Sequence, residues 1–191
     1  MSTATTARGD TFEGPAWLRG PTEGWLALGA LAVMVATVAV AVDAAHWAGF
    51  VAAGTSQTAF LLPLMLVAAL WGFVSARLGW PALAADAVGA MVGAALLLLA
   101  VSGVVSTAPD LATRLTALSD SVYLFYHDLV IDGVRSAQTS VFLLVLGAVL
   151  WTAAQVAAFN LFRRRRGLTA VGLLGVALFI ELSVSALDQY G

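Results

Sequence analysis

Residues 141–166 read VFLLVLGAVLWTAAQVAAFNLFRRRR, and this stretch decides the fold class. From Val141 to Phe162 no side chain carries a charge, and then Arg163, Arg164, Arg165 and Arg166 follow without a break. A helix that crosses a hydrocarbon core about 30 Å thick needs about 20 apolar residues. The run is long enough, and the four arginines that close it belong in headgroups and water. It predicts a transmembrane helix over 141–162 with a basic anchor at one end.

Working outward, four more apolar runs have the same character. Leu168–Leu187 follows the arginines, and Ala82–Val105, Thr58–Ala76 and Gly24–Val42 precede them. Gly79-Trp80-Pro81 reads as a tight turn between the second and third spans. Pro63 lies inside the second and predicts a kink there, because proline removes one helix bond. Residues 1–23 form a polar tail with Arg8, Asp10, Glu13 and Arg19, and 188–191 a short end. Ala39-Val40-Ala41 resembles a signal-peptide cleavage site, but the apolar run before it exceeds the usual ~7–15 residues. The first run is therefore read as a retained span.

Residues 111–134 differ. Leu111, Leu115, Leu118, Val122, Phe125, Tyr126 and Leu129 recur at helical spacing, while Arg114, Asp120, Asp128 and Asp132 fall mostly elsewhere on the wheel. This pattern predicts an amphipathic helix along the membrane surface, broken at Gly133. The expected fold is all-α: a polytopic membrane bundle over 24–187 with about five transmembrane helices and one extracytoplasmic surface helix.

Composition agrees. Of 191 residues, 61% are hydrophobic and 10% charged. A typical soluble domain has about 45–50% and about 25%. A chain this short cannot bury such an excess in a core of its own. The absence of cysteine excludes disulfides, thiolate nucleophiles and Cys-ligated metals. The net charge of −2 is too small to imply a nucleic-acid partner. All nine basic residues are arginine, and they set the orientation. With an inner amino terminus, Arg8, Arg19, Arg77 and Arg163 to Arg166 lie inside, and only Arg114 and Arg135 outside. The positive-inside rule then places the amino terminus in the cytoplasm, the carboxyl terminus outside and residues 111–134 on the extracytoplasmic side of the membrane.

Few residues are candidates for chemistry. Glu181 lies about 20 Å along the fifth span, at 1.5 Å per residue. It reads as a buried polar anchor for helix packing or a partner, with Thr37 of the first span at matching depth. A proton relay and a carboxylate reaching the outer headgroups are the competing readings. Asp86, one turn into the third span, reaches the inner headgroups, with Arg77 across the turn as its expected partner. Gly89 and Gly93 form a GxxxG step that lets helix backbones approach, within the bundle or against a partner. Asp43 with His46, and His127 with Asp128, could suggest a metal site. A metal needs three or four converging ligands, and the spacing fixes none, so these read as a solvated edge. Trp25, Trp47, Trp71 and Trp80 suit the interface, and Trp151, deep in the fourth span, suits packing. No hydrolase elbow, phosphate loop or His-Glu-x-x-His is present, so neither enzyme activity nor a cofactor is expected.

Several stretches in order carry a family resemblance. They are Glu23-Gly24-Trp25-Leu26-Ala27-Leu28, Ala45-His46-Trp47, Leu61-Leu62-Pro63-Leu64, Ala76-Arg77-Leu78-Gly79-Trp80, Val141-Phe142-Leu143-Leu144 and Ala158-Phe159-Asn160-Leu161-Phe162 before the arginines. Together they resemble the amino-terminal membrane region of bacterial transglutaminase-like (TgpA-like) membrane proteins, across most of 23–187. In that family the membrane region precedes an extracytoplasmic domain with a Cys-His-Asp set. This chain has no cysteine, so no catalytic residue carries over. It also departs from the pattern at Gly167 and at Ser136–Ser140. The resemblance implies a membrane module standing alone, or the front part of a split gene.

The expected function is a non-catalytic module, bound by membrane lipids, that anchors or scaffolds a partner protein or complex. The alternative is a small transporter or channel component using Glu181 and Asp86. Transporters usually show repeated halves, and no repeat is visible.

Overall fold

The computed structural model describes residues 25–44, 51–52, 55–134, 138–164 and 167–176. The architecture is helical: α1 (Trp25–Ala44), α2 (Leu61–Arg77), α3 (Ala82–Val105), α4 (Leu111–Tyr126), α5 (Ser140–Arg164) and α6 (Gly167–Val176). The α1–α2 loop carries a two-residue antiparallel ladder, β1 (Val51–Ala52) with β2 (Thr55–Ser56), in a loop the sequence leaves without structure. α1, α3 and α5 are long and apolar enough to cross a membrane, and α2 and α6 are shorter apolar helices.

Local chemistry sets the helix ends. α2 starts at Leu61, three residues later than the apolar run. Pro63 therefore stands in the first turn, where backbone N–H groups have no helical acceptor. The kink expected at Pro63 is not required, because no helix bond is lost there. At the other end of α2, Gly79 adopts φ 72°. Its N–H donates to Ala76 O at 3.3 Å and that of Trp80 donates to Ser75 O at 3.3 Å. These are the paired bonds of a Schellman motif, which needs a left-handed residue at this position. Pro81, extended at φ −63° and ψ 145°, then opens α3. The tight turn at 79–81 thus becomes a helix stop followed by a helix start.

α4 begins on a true N-cap. The Asp110 carboxylate accepts from the backbone N–H of Thr113 at 2.9 Å and from its hydroxyl at 3.0 Å. These bonds, the backbone one first, hold the Asp110 carboxyl below its ordinary 3.8. The folded form thus gains from the charged carboxylate. That gain is complete above pH 3.8 and disappears as pH falls through the lowered value. Exchange protection at the Thr113 and Arg114 amides, corrected for intrinsic rates, should fall in that acidic window. In Asp110→Asn, whose cap is uncharged, it should stay flat. The far end of α4 widens into a π-helical turn over His127–Ile131, where Asp132 N–H donates to His127 O at 3.1 Å. Gly133, at φ 65°, ends it. The predicted helix 111–134 is therefore two pieces, α to Tyr126 and π beyond.

α5 is the centre of the bundle. α2 lies along one side of it, and the two run parallel: Gly72 meets Gln155 and Ala158, Phe73 meets Phe162, and the Arg163 guanidinium reaches Gly79 O. α3 lies along another side and runs antiparallel to α5, with Gly89 on Gln155, Gly93 on Trp151 and Leu97 on Gly147. Leu143 and Leu150 of α5, Met65 and Ala68 of α2, Val35 and Val42 of α1, and Leu174 of α6 join one buried cluster. Many large apolar side chains point outward, among them Leu26, Val33, Leu83, Met91 and Leu168. This pattern suits helices whose solvent is hydrocarbon.

Candidate functional site

The buried face of α3 repeats every fourth residue, through Ala85, Gly89, Gly93, Leu97 and Val101. The facing ridge of α5 repeats likewise, through Gly147, Trp151 and Gln155. Small residues on one helix receive large ones from the other. A Cβ on Gly93 would stand 2.5 Å from the Trp151 indole, and one on Gly89 would stand 2.3 Å from the Gln155 amide. The order then reverses, for a Cβ on Gly147 would meet Leu97 at 2.3 Å. This is close approach of the kind that small-xxx-small steps permit, and it gives van der Waals contact where lipid supplies no hydrophobic drive. Gly89 and Gly93 thus face α5 inside the bundle.

At the centre of this seam sits Gln155, buried at 4% exposure. Its Oε1 accepts from the Trp151 indole N–H at 3.0 Å, and its Nε2 donates to Ala85 O at 3.2 Å. Asp86 Oδ1 lies a further 3.5 Å from that nitrogen, a long contact. The Trp71 indole of α2 also points at Ala85 O, at 3.4 Å. One carbonyl of α3 therefore gathers donors from α2 and α5. Of the other buried polar side chains of these helices, Ser75 bonds to Trp71 O, Ser102 to Leu99 O and Asn160 to Val156 O within their own helix, whereas Ser140 reaches α4. Sequence reasoning missed Gln155. Its signal was present, as a glutamine one helical turn past Trp151 on the face that also holds Gly147.

A second polar knot fixes α4. The Ser121 hydroxyl lies 2.7 Å from Ser140 Oγ and 2.7 Å from Gln138 Oε1. Leu118 is buried with Val101 and Leu143, and the Arg114 guanidinium lies 3.9 Å from where a Gly103 Cβ would stand. Residues 101–104 and 140–143 form one end of the antiparallel α3–α5 pair, so α4 crosses that end. Only Leu118 and Ser121 of α4 are buried. Tyr123, Tyr126, Leu129, Val130 and Ile131 are each more than half exposed.

The π turn also gathers a trio that α-helical spacing conceals. His127, Asp128 and Asp132 bring one ligand atom each within 4.8 Å of one another, and His127 Nδ1 lies 3.1 Å from Asp132 Oδ2. The sequence reading paired His127 with Asp128 alone. Three protein ligands leave an open position in a tetrahedral site. Here two of them already pair with each other on an exposed surface.

Most described charges divide between the two ends of the bundle, with Asp86 near the arginine end and Arg114 on α4 as the exceptions. Arg77, Arg163 and Arg164 lie where α2 and α5 finish. Asp43, tied to the Thr58 hydroxyl, and Asp110, Asp120, Asp128 and Asp132 lie at the end that α4 covers. Thr37 is exposed on α1, and its hydroxyl donates to Val33 O at 2.8 Å. Glu181, expected opposite it, lies outside the described residues, as do His46, Trp47, Arg165 and Arg166. No family model, curated protein or solved structure matches the chain.

Proposed function

We propose that this chain is a five-span, non-catalytic membrane module that anchors a partner protein at its extracytoplasmic face. The spans are α1, α2, α3, α5 and the apolar run 168–187, of which the structure describes the part in α6. α2 covers only about 25 Å at 1.5 Å per residue. Arg77 at its end extends that reach by placing its guanidinium in the headgroups. The arginine end lies in the cytoplasm and α4 lies outside.

The observation that carries the partner reading is α4. Leu118, Ser121 and the Asp110 cap hold it in place, yet it presents Tyr123 and Tyr126 outward, and the π turn that continues it presents Leu129, Val130 and Ile131. Aromatic residues on a rigid support are the usual anchors of protein interfaces. The resemblance to transglutaminase-like membrane proteins supports a partner with an extracytoplasmic domain of that kind. The polar groups inside the bundle support a structural role for its interior, since Gln155 bonds two neighbours, Ser75 and Ser102 bond their own helices, and Ser140 bonds Ser121 of α4.

The test is photo-crosslinking in intact cells from a probe at Tyr126, with a probe at lipid-facing Val33 as control. A discrete protein adduct at Tyr126 and none at Val33 is expected. Lipid adducts alone at both positions would refute the partner reading. Asp86 beside Gln155 favours a second reading, as part of a solute or proton pathway. Liposome flux that Asp86→Asn abolishes would establish it.

A further inference from the structure

An apolar groove of about 220 Å³ opens between α1 and α6, lined by Ala27, Ala30, Met34, Leu161, Gly167 and Ala170 among others. Its small residues make the space, and its wall is almost wholly hydrocarbon. The groove is too small for a helix, whose diameter is about 10–12 Å with side chains. One end of it lies at the basic end of the bundle, because Leu161 and Gly167 flank the arginine run.

The two described arginines of that run do different things. Arg163 reaches back to α2 and donates to Gly79 O at 3.4 Å. Arg164 stands three residues after Leu161, hence on the helix face that lines the groove. It is exposed, and among the described residues no carboxylate pairs with it. A hydrocarbon slot with an arginine on the helix face that lines it matches a molecule with an alkyl chain and an anionic head.

We propose that this groove holds one acyl chain of an anionic phospholipid, with its phosphate on Arg164. Basic pockets between helices on the cytoplasmic side are suited to such headgroups. The inference rests on the bilayer reading and is independent of the partner. A chain that stays monodisperse without detergent would refute the bilayer reading, whereas the results below bear on the groove alone.

The test is native mass spectrometry of protein extracted from nanodiscs that contain equal phosphatidylglycerol and phosphatidylcholine of the same chains. The wild type should keep one phosphatidylglycerol and lose phosphatidylcholine. Arg164→Gln should lower that retention about fivefold, the factor for one basic group at an anionic surface. Ala30→Trp fills the groove from an exposed position and should abolish retention without removing charge. Ala27→Ile narrows the same wall and replaces it if the tryptophan variant unfolds. Inorganic phosphate should not displace the lipid. Equal retention of both lipids would overturn the proposal. So would phosphatidylglycerol retention that the groove-filling variant leaves unchanged, since that describes adsorption to the arginines alone.

Discussion

Gly72→Ala is expected to destabilise the bundle by about 1–3 kcal/mol, the usual cost of forcing extra volume into a packed interface. A Cβ there would stand 2.3 Å from the Gln155 carbonyl oxygen and 2.9 Å from Ala158 Cβ. Neither neighbour is the end of a flexible side chain. Relief requires α2 and α5 to move apart, which loosens the contact around which the other helices pack. Gly29 and Gly172 supply the control, because nothing lies within 4 Å of a Cβ at either. Alanine at those sites should be neutral or stabilising by up to ~1 kcal/mol through helix propensity. Gly89→Ala should fall between, since the obstacle there is the movable amide of Gln155. Unfolding of the set in bicelles, read by steric trapping, gives the ranking. Equal stability of Gly72→Ala and Gly29→Ala would contradict the α2–α5 packing.

Gln155→Leu should carry the next largest effect. Leucine restores much of the volume but accepts no hydrogen bond, so the Trp151 indole N–H loses its partner inside the bundle. A buried donor left unpaired costs about 1–3 kcal/mol in water-soluble proteins. Polar pairs between membrane helices average nearer 0.6 kcal/mol and reach about 1.7. A loss of about 1–2 kcal/mol is expected, because Gln155 also loses its bond to Ala85 O. The specific prediction is coupling. Trp151→Phe removes the donor, so Gln155→Leu should cost less in that background, by at least ~0.5 kcal/mol. Strict additivity would show that the glutamine acts only as bulk.

The long helices were legible in the sequence because lipid imposes a length, and Ala82–Val105 was bounded to the residue by Pro81 and Ser106. The start of α2 was less clear, since hydropathy does not distinguish the turn at 57–60 from the helix that follows. Pro63 was the better guide, because proline tolerates a first turn. The stripe at Gly89 and Gly93 announced a close approach but not its partner. The partner follows from the spacing of Gly147, Trp151 and Gln155 on another helix, which no local pattern connects to it. The His127, Asp128 and Asp132 trio was hidden for a geometric reason. Residues five apart diverge by about 140° on an α-helix, and only a π turn brings them together.

The central claim is that the bundle crosses a bilayer with its arginine end in the cytoplasm and α4 outside. The chain contains no cysteine, so single thiols can be introduced without background. Thr107→Cys places one in the exposed loop before α4, and Leu78→Cys places one at the exposed turn after α2. A membrane-impermeant maleimide applied to intact spheroplasts should label Thr107→Cys and spare Leu78→Cys until the membrane is permeabilised. Labelling of both thiols in intact spheroplasts, or of Leu78→Cys alone, would contradict the account.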